Sequence, residues 1–111
     1  MSVHKIDRIS SDIKREISFI LRDLNNPQIQ NLVSVVRIYV TSDLAVCRVY
    51  LSIMGDEKSS RKTFRALESA SGFVRRELAL RLKLRRTPEI KFLKTNSIEY
   101  GAKLEKIFKE I

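Results

Sequence analysis

The chain reads as an α+β fold in the order α-β-β-α-β, with its second helix interrupted and a further helix at the C-terminal end. Three observations carry this. Apolar residues recur at three- and four-residue steps over residues 4–24, and two runs suited to strands lie back to back around Thr41-Ser42-Asp43. A long helical pattern then runs from about Ser59 to a stop at Thr87-Pro88, before a short alternating segment. With 111 residues, 43% apolar and 32% charged, one domain over 1–111 is expected, large enough for a core and too short for two.

In the first helix, Ile6, Ile9, Ile13, Ile17, Ile20, Leu21 and Leu24 fall on one stripe, and Asn25-Asn26-Pro27 ends it because the residue before proline leaves helical geometry. Leu32 to Thr41 is largely β-branched, with Arg37 and Tyr39 on one face and Val36, Ile38 and Val40 on the other. Leu44 to Ile53 alternates: Ala45, Cys47, Val49, Leu51 and Ile53 form its apolar side, and Thr41-Ser42-Asp43 makes the pair a hairpin. Gly55-Asp56-Glu57 closes the second strand. The helical pattern that follows, through Phe64, Leu67, Ser71 and Val74, meets Ala70-Ser71-Gly72, where glycine costs about 1 kcal/mol of helix propensity and suggests a kink or a close approach of backbones. Beyond it Leu78, Leu80, Leu82 and Leu84 alternate as a strand would, yet the lack of β-branching favours helix up to Arg86. Glu89 to Leu93 is a short strand with Ile90 and Phe92 on one face. Asn96 with Glu99 resembles a capping box opening an amphipathic helix of Ile98, Ala102, Leu104, Ile107, Phe108 and Ile111.

The charge is unevenly placed. Of the +9 net charge, +7 lies between Arg61 and Arg86, where Arg61, Lys62, Arg65, Arg75, Arg76, Arg81, Lys83, Arg85 and Arg86 face only Glu68 and Glu77. A basic block on a helical region is the footprint of a surface that meets phosphate backbones. At 100° per residue, Arg75, Arg76, Lys83 and Arg86 gather within an arc of about 100° and are the leading RNA-contact candidates. Arg81 and Arg85 fall nearer the apolar side and either snorkel from the core edge or pair with a carboxylate. Arg61 and Arg65 precede the interruption, and Lys5 and Arg8 flank the first helix and could extend the basic surface. The competing reading of the whole cluster is an ordinary solvated helix face.

Several function classes are disfavoured. No run of about 18 apolar residues could span a bilayer, and the polar first residues are unlike a signal peptide, so the expected location is cytoplasmic. The single Cys47 allows no internal disulfide and no thiolate zinc site, and its strand position suggests a core thiol. His4 has no nucleophile or paired carboxylate beside it, and Asp56-Glu57 reads as a turn rather than a metal pair, so neither catalysis nor a cofactor or metal is expected. Tyr39 and Tyr50 are open to two readings, as stacking platforms or as residues covered by the last helix.

Read in order, the sequence resembles the ribosome-binding factor A family. The likeness rests on Lys5-Ile6-Asp7-Arg8-Ile9, Asn26-Pro27, Val40-Thr41-Ser42-Asp43-Leu44, Val49-Tyr50-Leu51-Ser52, Ala70-Ser71-Gly72-Phe73-Val74-Arg75, Leu84-Arg85, Pro88-Glu89-Ile90-Lys91-Phe92 and Ser97-Ile98-Glu99. The resemblance implies a type II KH-like domain that binds the small ribosomal subunit and its 16S ribosomal RNA, beside neighbouring ribosomal proteins. It further implies assistance in late maturation of that RNA, often important in the cold, with interplay with assembly GTPases, no catalysis, and a monomer by default. It also implies that an Ala-x-Gly step, here Ala70 and Gly72, replaces the Gly-x-x-Gly loop of ordinary KH domains, so that RNA is met by shape and phosphate position rather than by single-strand reading. Gln28, Asn26 and Thr95-Asn96 depart from the family pattern in loops. The alternative is a general RNA-binding module or RNA chaperone without subunit selectivity.

Overall fold

The computed structural model describes residues 3–95 apart from 28, 30 and 31, with side chains from residue 6 onward. The expected capping box and C-terminal helix lie outside the described residues. The elements are α1 (Val3–Asp23), β1 (Val33–Val40), β2 (Val46–Ile53), α2 (Glu57–Ser69), α3 (Ser71–Leu82) and β3 (Glu89–Thr95). This is the order expected from sequence, with the interrupted helix present as two helices.

The sheet order is β1-β2-β3, antiparallel between β1 and β2 and parallel between β2 and β3. Cys47, Val49, Leu51 and Ile53 of β2 and Ile90 and Phe92 of β3 share one face. They form one buried cluster with Ile13, Ile17, Ile20 and Leu21 of α1, Leu67 of α2, and Val74 and Leu78 of α3. The described helices therefore cover one face of the sheet. The stripe predicted for the first helix is the stripe that is buried, and the helix stops short of Asn25-Asn26-Pro27 as expected.

The hairpin turn is held by one side chain. The Thr41 hydroxyl accepts from the Val46 and Ala45 N–H groups at 3.0 and 3.2 Å and donates to Asp43 Oδ1 at 2.8 Å. Asp43 in turn accepts from the Ala45 N–H, and Leu44 completes the turn at φ 60°, a left-handed backbone. These bonds hold the Asp43 carboxyl below its ordinary value, Thr41 contributing most and Arg86 adding a smaller charge effect. Asp56 does similar work at the start of α2, accepting from the Ser59 N–H at 2.7 Å, so its carboxylate is a helix cap.

Three expectations need correction, and one reading left open is resolved. In β1 the pairing skips Val36 between Val35 and Arg37, a bulge that switches the core side from Val33 and Val35 to Ile38 and Val40, so Val36 does not join the apolar face assigned to it. The helical segment does not reach Arg86: α3 ends at Leu82, and Lys83 caps it in a left-handed conformation at φ 50°. Leu82 and Leu84 explain this, since two residues at 100° each would set them about 200° apart on a continued helix, whereas the reversal lets both pack against the core. Tyr50, left open from sequence between a stacking platform and a covered residue, is buried. Finally, a Cβ on Gly72 would meet no atom within 4 Å, so no close approach within the described chain demands glycine. The break sits at Ala70, whose N–H donates to the Ala66 and Leu67 carbonyls while its own carbonyl opens α3 by accepting from Val74.

Three outcomes follow for stability. Thr41→Val should cost about 1–2 kcal/mol in a denaturant titration, because the Val46 N–H loses its acceptor and the Asp43 carboxylate loses the Thr41 hydroxyl. Because Asp43 is depressed in the folded state, its contribution is complete above the ordinary carboxylate value and is lost as pH falls through the lowered one; the gap between wild type and Asp43→Asn should close on acidification. Gly72→Ala should leave the fold intact and raise its stability by up to about 1 kcal/mol, since the position is helical and open.

Candidate RNA-binding surface

Because α2 and α3 bury one side against the sheet, their other sides face outward together on the helix-covered side of the molecule. Ser60, Thr63, Ala66 and Leu67 are the buried side of α2. The opposite side carries Lys58, Lys62 and Arg65 at helical spacing, all exposed, with no ion pair or hydrogen bond from their cationic groups among the described residues. Lys58 and Lys62 were not singled out from sequence. Their signal was the i, i+4, i+7 spacing with Arg65, which a count of charge along the chain does not reveal.

The four leading candidates do not share one arc. Arg75 and Arg76 lie exposed on α3, Lys83 sits at the left-handed turn after it, and Arg86 lies beyond that turn, close enough to the hairpin to lower Asp43. Arg75 also has structural work: its Nε and Nη2 donate to the Thr87 carbonyl at 3.3 and 2.9 Å, tying the segment after α3 back against that helix just before buried Pro88. Arg76 makes no such bond among the described residues. Arg81 pairs with Glu77 at 3.9 Å, one of the two roles foreseen for it, and Arg85 is exposed in the segment after α3. Arg61 is bound to Glu57 at 3.0 Å, Arg65 is open, and Arg8 is exposed on α1. The Lys5 side chain lies outside the described ones.

The ion pairs on this side are local, exposed at Arg61–Glu57 and half-buried but long at Arg81–Glu77, so each is worth about 0–1 kcal/mol and would yield to a phosphate at small cost. The cations Lys58, Lys62, Arg65, Arg76, Lys83 and Arg85 are therefore uncommitted, and Arg61 and Arg81 are only loosely held. Ala70 supplies no side-chain cap to α3, which leaves the positive end of that helix beside Gly72 and Phe73.

The remaining candidates have internal roles. Cys47 is fully buried and burial pushes its thiol up to about 12, so it holds no thiolate for chemistry. Tyr39 lies under the Arg48 guanidinium, 5.6 Å from the ring centroid, on the sheet face away from the helices. Among the described residues no His, Cys, Asp and Glu cluster could hold a metal ion, and no helix is long and apolar enough to cross a membrane. A cleft of about 440 Å³ between α1 and β1, lined by Leu21, Leu24, Leu32, Val33 and Val35, is mainly apolar and is built by neither basic helix.

The family model described as ribosome-binding factor A matches residues 5–108. The chain belongs to that family. It is similar to ribosome-binding factor A of Caldanaerobacter subterraneus subsp. tengcongensis, 46% identical over 97% of this chain and 89% of that one. Among solved structures it is similar to the crystal structure of ribosome-binding factor A from Thermus thermophilus, with a TM-score of 0.70, 26% identity, and coverage of 80% of this chain and 93% of that one. It is also similar to a homology model of the Thermus thermophilus ribosome binding factor A fitted into the cryo-EM map of a 30S complex with that factor, at a TM-score of 0.67, 26% identity, and coverage of 81% and 94%. The strand order and the interrupted helix agree with the type II KH-like architecture that the resemblance implied.

The two adjacent arginines should separate experimentally. Arg75→Ala should lower stability by about 1 kcal/mol through the lost tie to Thr87, while Arg76→Ala should leave the thermal melt unchanged.

Proposed function

We propose that this chain binds the small ribosomal subunit through its 16S ribosomal RNA, using the outward sides of α2 and α3 and the turn after α3. In this reading it assists late maturation and processing of that RNA without catalysing a covalent step. The observation that carries it is the set of six exposed cations on α2, α3 and the turn after α3, Lys58, Lys62, Arg65, Arg76, Lys83 and Arg85, without acidic partners among the described residues. Such a field suits a phosphate backbone, and counterion release would supply much of the affinity. Membership of the ribosome-binding factor A family and the relative fitted into a 30S complex both support the choice of partner.

The factor works by holding a maturing region of RNA in one arrangement until the subunit is finished, a service that matters most in the cold, where misfolded RNA escapes slowly. It acts as a cytoplasmic monomer. Assembly GTPases and neighbouring ribosomal proteins are partners in its placement or release rather than sources of a catalytic group.

Replacing Lys62, Arg65, Arg76 and Lys83 with alanine should preserve the fold and reduce the salt slope of RNA binding by about 3, at 0.7 to 0.9 per phosphate contact. An unchanged slope rejects this surface. Co-sedimentation with purified small and large subunits, in excess competitor RNA, tests the partner. Selective retention on small subunits is expected; equal retention on both would favour a general RNA-binding module.

A further inference from the structure

Helix α3 carries apolar side chains on two sides, and only one of them is used by the fold. Val74 and Leu78 enter the core at 0% exposure, whereas Phe73 and Leu80 are 46% and 66% exposed and belong to no buried cluster. Seven residues apart, Phe73 and Leu80 stand nearly in line, about 10 Å from each other along the helix axis. Arg76 and Glu77 flank the line between them, Glu77 being paired with Arg81, and Gly72 and Ala79 lie on the Arg76 side, so a small apolar patch has a free cation along one edge. The space where a Gly72 side chain would project is open to beyond 4 Å, which leaves the helix surface beside Arg76 uncovered. Since neither packing nor backbone geometry within the described chain requires glycine there, the open shelf costs stability without an internal return.

Resting on the RNA-binding reading above, we infer that Phe73 is a stacking platform for one unpaired base, with Leu80 as a second apolar contact and Arg76 beside them for the adjoining phosphate. The surface then selects RNA that offers a splayed nucleotide over a continuous duplex. Bases supply the only broad apolar faces of an RNA, and an aromatic ring beside an arginine suits one. A protein partner fits less well. Each side of a stable protein complex buries about 800 Å², whereas the outward faces of α2 and α3 offer two exposed apolar side chains in a field of cations.

The test uses a short RNA hairpin with a single bulged 2-aminopurine and the same hairpin without the bulge, measured with wild-type chain, Phe73→Leu and Phe73→Tyr. All three should melt alike, because Phe73 is outside the core. The wild-type chain should bind the bulged hairpin about tenfold more tightly, the scale of one base stacked on one ring, and quench its fluorescence. Phe73→Tyr should retain both effects, and Phe73→Leu should lose both while still binding the paired hairpin. Equal affinity of wild type for the two hairpins, or a preference that survives Phe73→Leu, overturns the inference while leaving the phosphate-binding surface standing. Absence of binding to either hairpin at low salt overturns the RNA reading itself. If Phe73→Leu leaves RNA binding unchanged but weakens co-sedimentation with small subunits, the patch meets a ribosomal protein and the inference fails.

Discussion

The parallel pairing of β2 and β3 governs the rest of the molecule. A parallel neighbour cannot be reached by a tight turn, so the chain from Met54 to Pro88 must travel back along the sheet before Glu89 pairs beside Val46. That return path is α2 and α3. Breaking it at Ala70 lets Leu67 on one side and Val74 and Leu78 on the other reach the same core. Its arrival is fixed by the left-handed Lys83, the tie from Arg75 to Thr87, and the Glu89 N–H donating to the Ala45 carbonyl at 2.9 Å.

The same return path holds most of the net positive charge. Burying one side of α2 and one side of α3 leaves their polar sides turned away from the sheet, so the sequence that closes the fold also displays the cations. Their arrangement is uneven. Arg61 and Arg81 rest on neighbouring glutamates, Arg75 is engaged with the backbone, and Lys58, Lys62, Arg65 and Arg76 are held only by their stems. Stability and binding are thus separable at adjacent positions, most sharply at Arg75 and Arg76. The opposite face of the sheet has a smaller basic and aromatic set, Arg37, Tyr39, Arg48 and Lys91, in which Arg48 is already seated on Tyr39.

Element order was legible in the sequence because the periodicities are strong: the isoleucine stripe of α1, the alternation of β2 from Cys47 to Ile53, and the polar stops at Asn25-Asn26-Pro27 and Thr87-Pro88. What was not legible depends on closure in three dimensions. Val35 and Val36 are chemically identical, so nothing local marks the bulge. Nothing in the leucine run announces a left-handed lysine; only the need to bury both Leu82 and Leu84 produces it. Ala70-Ser71-Gly72 signalled a kink or a close approach of backbones; the helix does break there, while Gly72 itself lies in open space. The candidate surface was legible as a block of charge, but its layout on the helices was not. The wheel that joined Lys83 and Arg86 to Arg75 assumed a helix that stops at Leu82, and a window opened at Arg61 hid Lys58 and passed over Lys62.

The central claim is that the crossover helices, and not the opposite face of the sheet, meet the RNA. Amide chemical-shift mapping of the ¹⁵N-labelled chain titrated with a small-subunit RNA fragment tests it most directly. Perturbations should cluster on residues 58–65 and 72–86 while β1 and the centre of β2 stay still. Shifts centred instead on Arg37, Tyr39, Arg48 and Lys91 would contradict the account and move the interface to the other side of the molecule.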